Sequence, residues 1–228
     1  MGRAANQTGA DMTTAAVEEY LAVAFRLQEE GAAVTVATLA QRLSFSHASV
    51  SLMVKRLVQE ELLGRQDGEL RLTAEGERRA AEVVRRHRLA ERFLFDVLGL
   101  AWDDVHDEAG RWEHVLSPAV EERLDGVVGR PESCPHGHPI PGREAALPVE
   151  LHALSSLEVG EEAVVVQVRR EETSLLRYLA SLGLLPGARV LVEQVAPFGG
   201  PLLVRLGSAR YALGRDMAGQ ILVRKGAR

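Results

Sequence analysis

The stretch VATLAQRLSFSHASVSLMVKRLVQEELLGRQDGELRLT, Val36 to Thr73, decides the fold. Val36–Leu43 predicts a short helix, and SFSHAS after it is a tight polar turn. Ser49–Glu61 predicts a third helix, with Val50, Met53, Val54 and Leu57 recurring at helical spacing and facing inward. Asp67-Gly68 then sits between alternating Leu63/Arg65 and Leu70/Arg71/Leu72, a hairpin pattern. Helix, turn, helix and hairpin together make a winged helix-turn-helix. In that fold the N-terminal end of the second helix enters the major groove of DNA. The residues there are Ser46, His47, Ser49 and Ser51, with Leu52 beside them. Hydroxyls of this kind suit phosphate contacts and weak base readout. Arg42, Lys55 and Arg56 are basic, and no acidic residue lies between Arg42 and Val58. Arg65 and Arg71 add charge on the wing. The rival reading takes all of these as ordinary solvated surface charges. The net charge is −5, so any DNA binding must come from such a local patch.

Working outward, Thr13–Gly31 predicts a first helix, with Thr13 or Thr14 as its cap and Gly31 as its stop. Residues 1–12 read as a disordered tail without the apolar core of a secretory signal, and Met12 is an alternative start. The DNA-binding domain is thus expected over 13–82. Thr73–Leu98 predicts a long helix capped by Thr73, with Gly76 loosening its first turn. Its stripe of Ala80, Val83, Val84, Leu89, Phe93, Leu94 and Val97 is wide enough for a core and a dimer surface. A further helix is expected over Asp103–Leu116, and another from Ser117-Pro118 to Gly129. A helical domain over 83–130 would therefore carry homodimerisation. Residues 131–148, rich in Pro and Gly, read as a linker without helix or strand. From 149 to 228 short Val/Leu-rich strands, with one helix at TSLLRYLASLGLLPG, read as a small β barrel. The expected fold class is mainly α with a small barrel.

The single cysteine, Cys134, excludes an intrachain disulfide and fits a reducing, cytoplasmic setting. No apolar run approaches the roughly 20 residues that span a bilayer, so no membrane partner is expected. A phosphate loop and a Ser/His/Asp arrangement are both missing, which argues against an enzyme.

The metal-binding residue types gather between His87 and His114. His87 and Glu91 are four apart and share a helix face. His106, Gly110, Glu113 and His114 fall at i, i+4, i+7 and i+8, again on one face, with a gap at Gly110. Imidazole with carboxylate suits Mn²⁺, Fe²⁺, Co²⁺, Ni²⁺ or Zn²⁺, and the absence of thiolate leans toward the harder ions. On spacing alone, surface ion pairs explain such residues as well. Cys134-Pro-His136-Gly-His138 resembles a metal cluster, but its spacing matches no common zinc pattern. It reads as linker lying on the barrel.

The segments HRLAERFLFDVLGL and VHDEAGRWEHVLS resemble the signature of the diphtheria toxin repressor family of iron- and manganese-dependent regulators. The resemblance covers Met12 to Arg228, and LASLGLLPG with FGGPLLVRLGSARYALG resembles the accessory domain of ferrous iron transport systems. It implies a winged helix, a helical dimerisation domain and an SH3-like C-terminal domain. It implies a primary metal site at Glu19, Glu113 and His114, with Gly110 offering only its backbone carbonyl where the family usually has Cys or Glu. It also implies an ancillary site at His87, Glu91 and His106, completed by Glu171 and Glu172. Glu19 stands where the iron type has Met and the manganese type has Asp, which favours Mn²⁺ over Fe²⁺. The implied function is metal-dependent repression from a palindromic DNA operator, with genes of metal uptake as targets. The other reading is a winged-helix regulator of a different ligand with structural His/Glu pairs.

Overall fold

The computed structural model describes residues 4–143 and 150–226, with side chains from residue 15 onward. The described chain resolves into two compact units. One is Met1–Arg86 with Glu113–Leu116, and the other is His87–Trp112 with Ser117–Arg228.

The first unit opens with helix α1, Ala4–Glu29. It starts well before Thr13, so most of the expected tail is helical. Ala4, Ala5, Ala10 and Met12 are strong helix formers, and they carry the helix through the threonines. Residues 1–3 lie outside the described part. Helix α2, Val36–Leu43, starts at a reciprocal cap between Thr35 and Thr38 and stops at Ser44 in the left-handed conformation. Helix α3, His47–Gln59, is capped by Ser46 and begins two residues earlier than the apolar pattern indicated. Strands β1, Leu63–Gln66, and β2, Glu69–Leu72, pair antiparallel, Leu63 with Leu72. Asp67 (φ 52°) and Gly68 (φ 83°) both have positive φ, the turn that matches strand twist. Val50, Val54 and Leu57 of α3 bury against Leu21, Ala24 and Leu27 of α1 and Leu39 of α2.

Helix α4, Ala74–Arg92, is capped by Thr73, whose Oγ1 accepts from the Gly76 amide at 3.1 Å. Gly76 does not loosen the turn. A Cβ there would meet the Leu62 carbonyl oxygen at 2.0 Å, so glycine lets α4 approach the end of α3. Ala80 joins the winged-helix core, and Val83 and Val84 pack with Ala22 and Phe25. The unit boundary falls inside α4, after Arg86 rather than at residue 82.

In the second unit α4 runs on into a π-helical turn at Phe93–Val97. Helix α5 covers only Val105–Trp112 and α6 covers Pro118–Val127. The helix expected to reach Leu116 stops at Trp112, and just past its end Arg86 Nε donates to the Glu113 carbonyl at 2.7 Å. His106 therefore does not share a helix face with Glu113 and His114.

Residues 131–143 form no helix or strand, yet they are packed rather than free. Ser133 bridges Pro139, and Cys134, His136, His138 and Ile140 are buried. Arg88 and Arg92 of α4 donate to the carbonyls of Pro139, Ser133 and Cys134. Trp102 Nε1 donates to the Pro135 carbonyl at 2.9 Å. The rest of the expected linker, 144–148, lies outside the described residues.

Six strands follow: β3 His152–Ala153, β4 Glu162–Val168, β5 Arg189–Val195, β6 Leu202–Leu206, β7 Ala209–Leu213 and β8 Ile221–Lys225. They form one antiparallel sheet in the order β3-β8-β4-β5-β6-β7, with register shifts at Val165/Gln167 and Val192/Gln194. Helix α7, Thr173–Leu182, seats Leu176 and Leu179 in the sheet's core, where Trp102 also packs. A short helix α8, Arg215–Gln220, falls between two stretches read as strand-like and takes the ends of both.

Candidate metal centres and DNA interface

In the first unit, α1 presents Glu18 and Glu19, and the turn after α5 presents Glu113 and His114. One ligand atom from each of Glu19, Glu113 and His114 lies within 4.8 Å of the others. His114 Nε2 is 3.5 Å from Glu19 Oε2 and 3.3 Å from Glu113 Oε1. Its other nitrogen, Nδ1, meets Glu18 Oε2 at 2.8 Å. Glu18 thus works on the far side of the ring and orients it, as outer carboxylates do for metal-binding histidines. Arg86 holds Glu18 Oε1 at 3.4 Å, and Arg26 stands 3.5 Å from Glu113 Oε2. The Glu18 and Glu19 carboxylates push the His114 pKa up to about 9 against the opposing effect of burial. These donors fit a divalent ion, since a cation on the Nε2 side would meet two carboxylates and an imidazole lone pair.

The second unit holds a larger, more deeply buried cluster. His87 and Glu91 come from α4, and His106 from α5. His87 Nε2 lies 3.1 Å from Glu91 Oε1 and 3.0 Å from His106 Nδ1, and His106 Nδ1 is 3.0 Å from the same oxygen. Donors bound at about 2.1 Å around one ion sit ~3.0–3.4 Å apart, so these spacings fit. Glu171, just before α7, turns Oε2 to His106 at 3.5 Å. Glu172 is the exposed residue that starts α7 and pairs with Arg170 at 3.8 Å. The structure therefore brings Glu171 to the cluster and not Glu172, because consecutive side chains on the extended backbone leading into α7 point to opposite sides.

Reading the sequence alone missed the segment at 134–138. His136 Nδ1 faces Glu91 Oε1 at 3.3 Å and Glu171 Oε1 at 3.2 Å, and Cys134 Sγ is 3.9 Å from that Glu171 oxygen. His138 is engaged on both nitrogens, by the Val168 carbonyl at 2.8 Å and Gln167 at 3.0 Å. Gly137 (φ 92°) makes this seating possible, because a Cβ there would meet the Val166 carbonyl oxygen at 1.9 Å. Its place between two histidines was the one available signal. Burial would raise the Glu91 carboxyl, but His87, His136 and His106 outweigh it and hold Glu91 well below the usual carboxylate range. Burial and the nearby Glu91 charge push the Cys134 thiol up to about 12.

Three family models match in succession: the iron dependent repressor N-terminal DNA binding domain at residues 12–67, its metal binding and dimerisation domain at 73–142, and the FeoA domain at 152–225. The iron-dependent repressor IdeR of Mycobacterium tuberculosis is 40% identical over 222 residues, covering 91% of this chain and 96% of the relative. The chain belongs to the diphtheria toxin repressor family. The diphtheria toxin repressor of Corynebacterium diphtheriae is 44% identical over 126 residues, 55% of this chain and 56% of that one. Among solved structures, a manganese-dependent transcriptional repressor in complex with manganese superposes with a TM-score of 0.84 at 34% identity, covering 92% of this chain and all of that one.

Helix α3 and strand β1 of the wing fall within the residues that the DNA binding domain model matches. His47, Ser49 and Lys55 are exposed on α3, as is Arg65 on the wing. Ser46 and Ser49 share a hydroxyl contact at 2.9 Å in the cap of α3, and Ser51 is half-buried. Three of the candidate basic residues carry carboxylate partners: Arg42 is clamped by Glu30, Arg56 meets Glu60 at 2.6 Å, and Arg71 meets Glu69 at 3.3 Å. Arg42 is the most committed, with both guanidinium nitrogens on Glu30, and is the weakest of the DNA contacts expected. Leu52 (68% exposed) and Phe45 (55%) give this side an apolar element. Gly110 lies in α5, within the second unit, where a Cβ would meet no atom within 4 Å. Among the described residues no helix is long and apolar enough to cross a membrane.

Proposed function

We propose that this family member is a cytoplasmic, Mn²⁺-responsive homodimeric repressor of metal uptake genes, switched at Glu19, Glu113 and His114. The observation that carries the reading is the orientation of His114. Glu18 occupies Nδ1, so the Nε2 lone pair is directed at Glu19 and Glu113. A bound divalent ion would supply the positive charge that holds these two carboxylates together. Glu19 belongs to the helix against which α3 packs, so fixing Glu19 to the Glu113–His114 turn steadies the platform of the recognition helix. Arg26 and Arg86 restrain the carboxylates when no ion is bound. The purely nitrogen and oxygen donor set favours Mn²⁺, with Fe²⁺ the runner-up. His87, Glu91, His106 and Glu171 form the ancillary site. Ser46, His47, Ser49, Ser51, Lys55, Arg56, Arg65 and Arg71 face the operator.

The test is operator binding by fluorescence anisotropy, with Mn²⁺ and then with chelator. Wild type should bind only with Mn²⁺, and Glu113→Ala should not respond. Operator binding that survives chelation unchanged would refute the switch.

A further inference from the structure

We infer that Leu52 reads a thymine 5-methyl group on the floor of the operator's major groove, with Ala48 one turn before it on the same face of α3. The inference rests on the reading that α3 faces the operator.

Three observations carry it. First, Val50, Val54 and Leu57 are buried and set the inner line of α3. At about 100° per residue, the opposite line runs through Ala48 and Leu52, four residues apart. Ala48 is exposed and Leu52 is 68% exposed. The outermost row in the first half of the helix is therefore apolar, and this half of a recognition helix is the one that contacts base edges. Second, the hydroxyls beside that row are committed to the helix cap. Ser46 Oγ accepts from the Ser49 amide at 3.2 Å and meets Ser49 Oγ at 2.9 Å. Ser51 is half-buried. Hydroxyls spent in this way leave the apolar row as the reader at the middle of the face. Third, Lys55 and Arg56 stand one turn further on, to either side of the same line, and no acidic residue lies between Arg42 and Val58.

A lone exposed leucine needs no explanation. A leucine set among cations on a carboxylate-free face is different, because the surface that fits it is anionic at its edges and apolar at its centre. The major groove has that pattern at thymine, with phosphates along both walls and the C5 methyl on the floor. No other base carries that methyl, so Leu52 discriminates without a hydrogen bond. Phe45 stacks on Tyr20 with ring centroids 6.3 Å apart and lines one groove with Leu52 and Met53. The apolar surface thus continues from α3 to α1, where a second copy of the chain is the rival occupant. The basic rim favours DNA.

The probe is the duplex that full-length wild type enriches, with Mn²⁺, from a randomised pool. Each thymine in turn is replaced by deoxyuridine, which removes only the 5-methyl group, and Kd is read by fluorescence anisotropy. For wild type, this exchange at one thymine in each half-site should weaken binding about fourfold, the worth of one buried methyl. Leu52→Ala should bind the thymine and uracil forms at that position equally, and Leu52→Met should keep the difference. Leu52→Ala should also keep the wild-type salt slope, since leucine neutralises no phosphate. A wild-type duplex in which no thymine-to-uracil exchange matters, or an exchange that weakens Leu52→Ala as much as wild type, would overturn the assignment and leave the metal switch standing. Failure to enrich any duplex with Mn²⁺ would overturn the operator reading with it. A change in the oligomeric mass of the free protein in Leu52→Ala, read by native mass spectrometry, would give the face to a second copy and overturn its assignment to DNA.

Discussion

Replacing Gly137 with alanine tests the seating of the 131–143 segment, and its cost can be worked out from geometry. Gly137 has φ +92°, and an added Cβ would lie 1.9 Å from the Val166 carbonyl oxygen and 2.8 Å from the Gln167 Cα. Two penalties result. An L residue held in the left-handed region costs roughly 1–2 kcal/mol. Forcing backbone apart in a packed interior costs about 1–3 kcal/mol more. Restricting the unfolded chain returns about 0.4–1 kcal/mol. At the middle of these ranges the net loss is about 3 kcal/mol, or roughly 9 °C in melting temperature for a unit of this size. Gly160 is the control, with φ +87° and no atom within 4 Å of an added Cβ. Gly160→Ala carries the conformational penalty without the clash, so it should cost about 1 kcal/mol, roughly 3 °C. The assay is thermal unfolding followed by tryptophan emission. Trp102 is the reporter, since its ring is buried and its Nε1 donates to Pro135 in the same segment. Gly137→Ala should also shift native emission to the red as the segment lifts. Equal melting shifts for the two variants, with native emission unchanged, would refute the close approach.

Glu18→Gln keeps the shape of the side chain that orients His114 but removes its charge. Loss of such an outer carboxylate should raise the Mn²⁺ concentration for half-maximal operator binding by about 10–100-fold, whereas an unchanged midpoint would place Glu18 outside the switch. In parallel Mn²⁺ titrations, Glu113→Ala should abolish metal-dependent DNA binding and His87→Ala only weaken it. The reverse order would exchange the primary and ancillary assignments. Charge reversal at Lys55 and Arg56 together should reduce the salt slope of operator affinity by about 2 if each neutralises one phosphate. A slope identical to wild type would move the DNA face away from α3.

Legibility followed the range of the interactions. The winged helix was readable because local chemistry specifies it: the Asp67-Gly68 turn, the Thr73 cap and the Val50–Val54–Leu57 spacing act within a few residues. His87 and Glu91 were readable as a pair because a helix places i and i+4 together. The end of α5 at Trp112 was hidden, because no glycine or proline marks it, and the turn that follows is held by Arg86 reaching the Glu113 carbonyl from 27 residues away. That break sends His106 to one cluster and Glu113 with His114 to the other, which no helical period could separate. Glu171 and Glu172 are adjacent and chemically alike, so only the extended entry into α7 distinguishes them. The Cys134–His138 segment was misread for a related reason. Its proline and glycine content does describe a chain that cannot form a helix, but a chain with no helix of its own can still be core. Arg88, Arg92 and Trp102 satisfy its carbonyls, and Gly137 lets it press against β4.

The two clusters differ in a way that suits two roles. In the first unit the acidic groups have guanidinium partners, Arg26 for Glu113 and Arg86 for Glu18, and Glu19 is 39% exposed at its side chain. With such partners, the carboxylates are stabilised before any ion arrives, so an ion must compete with arginine and with the proton on His114. Such competition lowers affinity and keeps the site responsive to changes in metal supply. In the second unit Glu91 is fully buried and faces imidazoles rather than solvent. Buried charge without close compensation is costly, so a cation among these carboxylates is favoured. An ion there is favoured by every carboxylate it neutralises and has little access to water through which to leave. On the proposed reading, the half-exposed cluster with arginine competitors is the sensor. The buried cluster is the holder, and it keeps α4, the 131–143 segment and the start of α7 together whether or not the sensor is occupied.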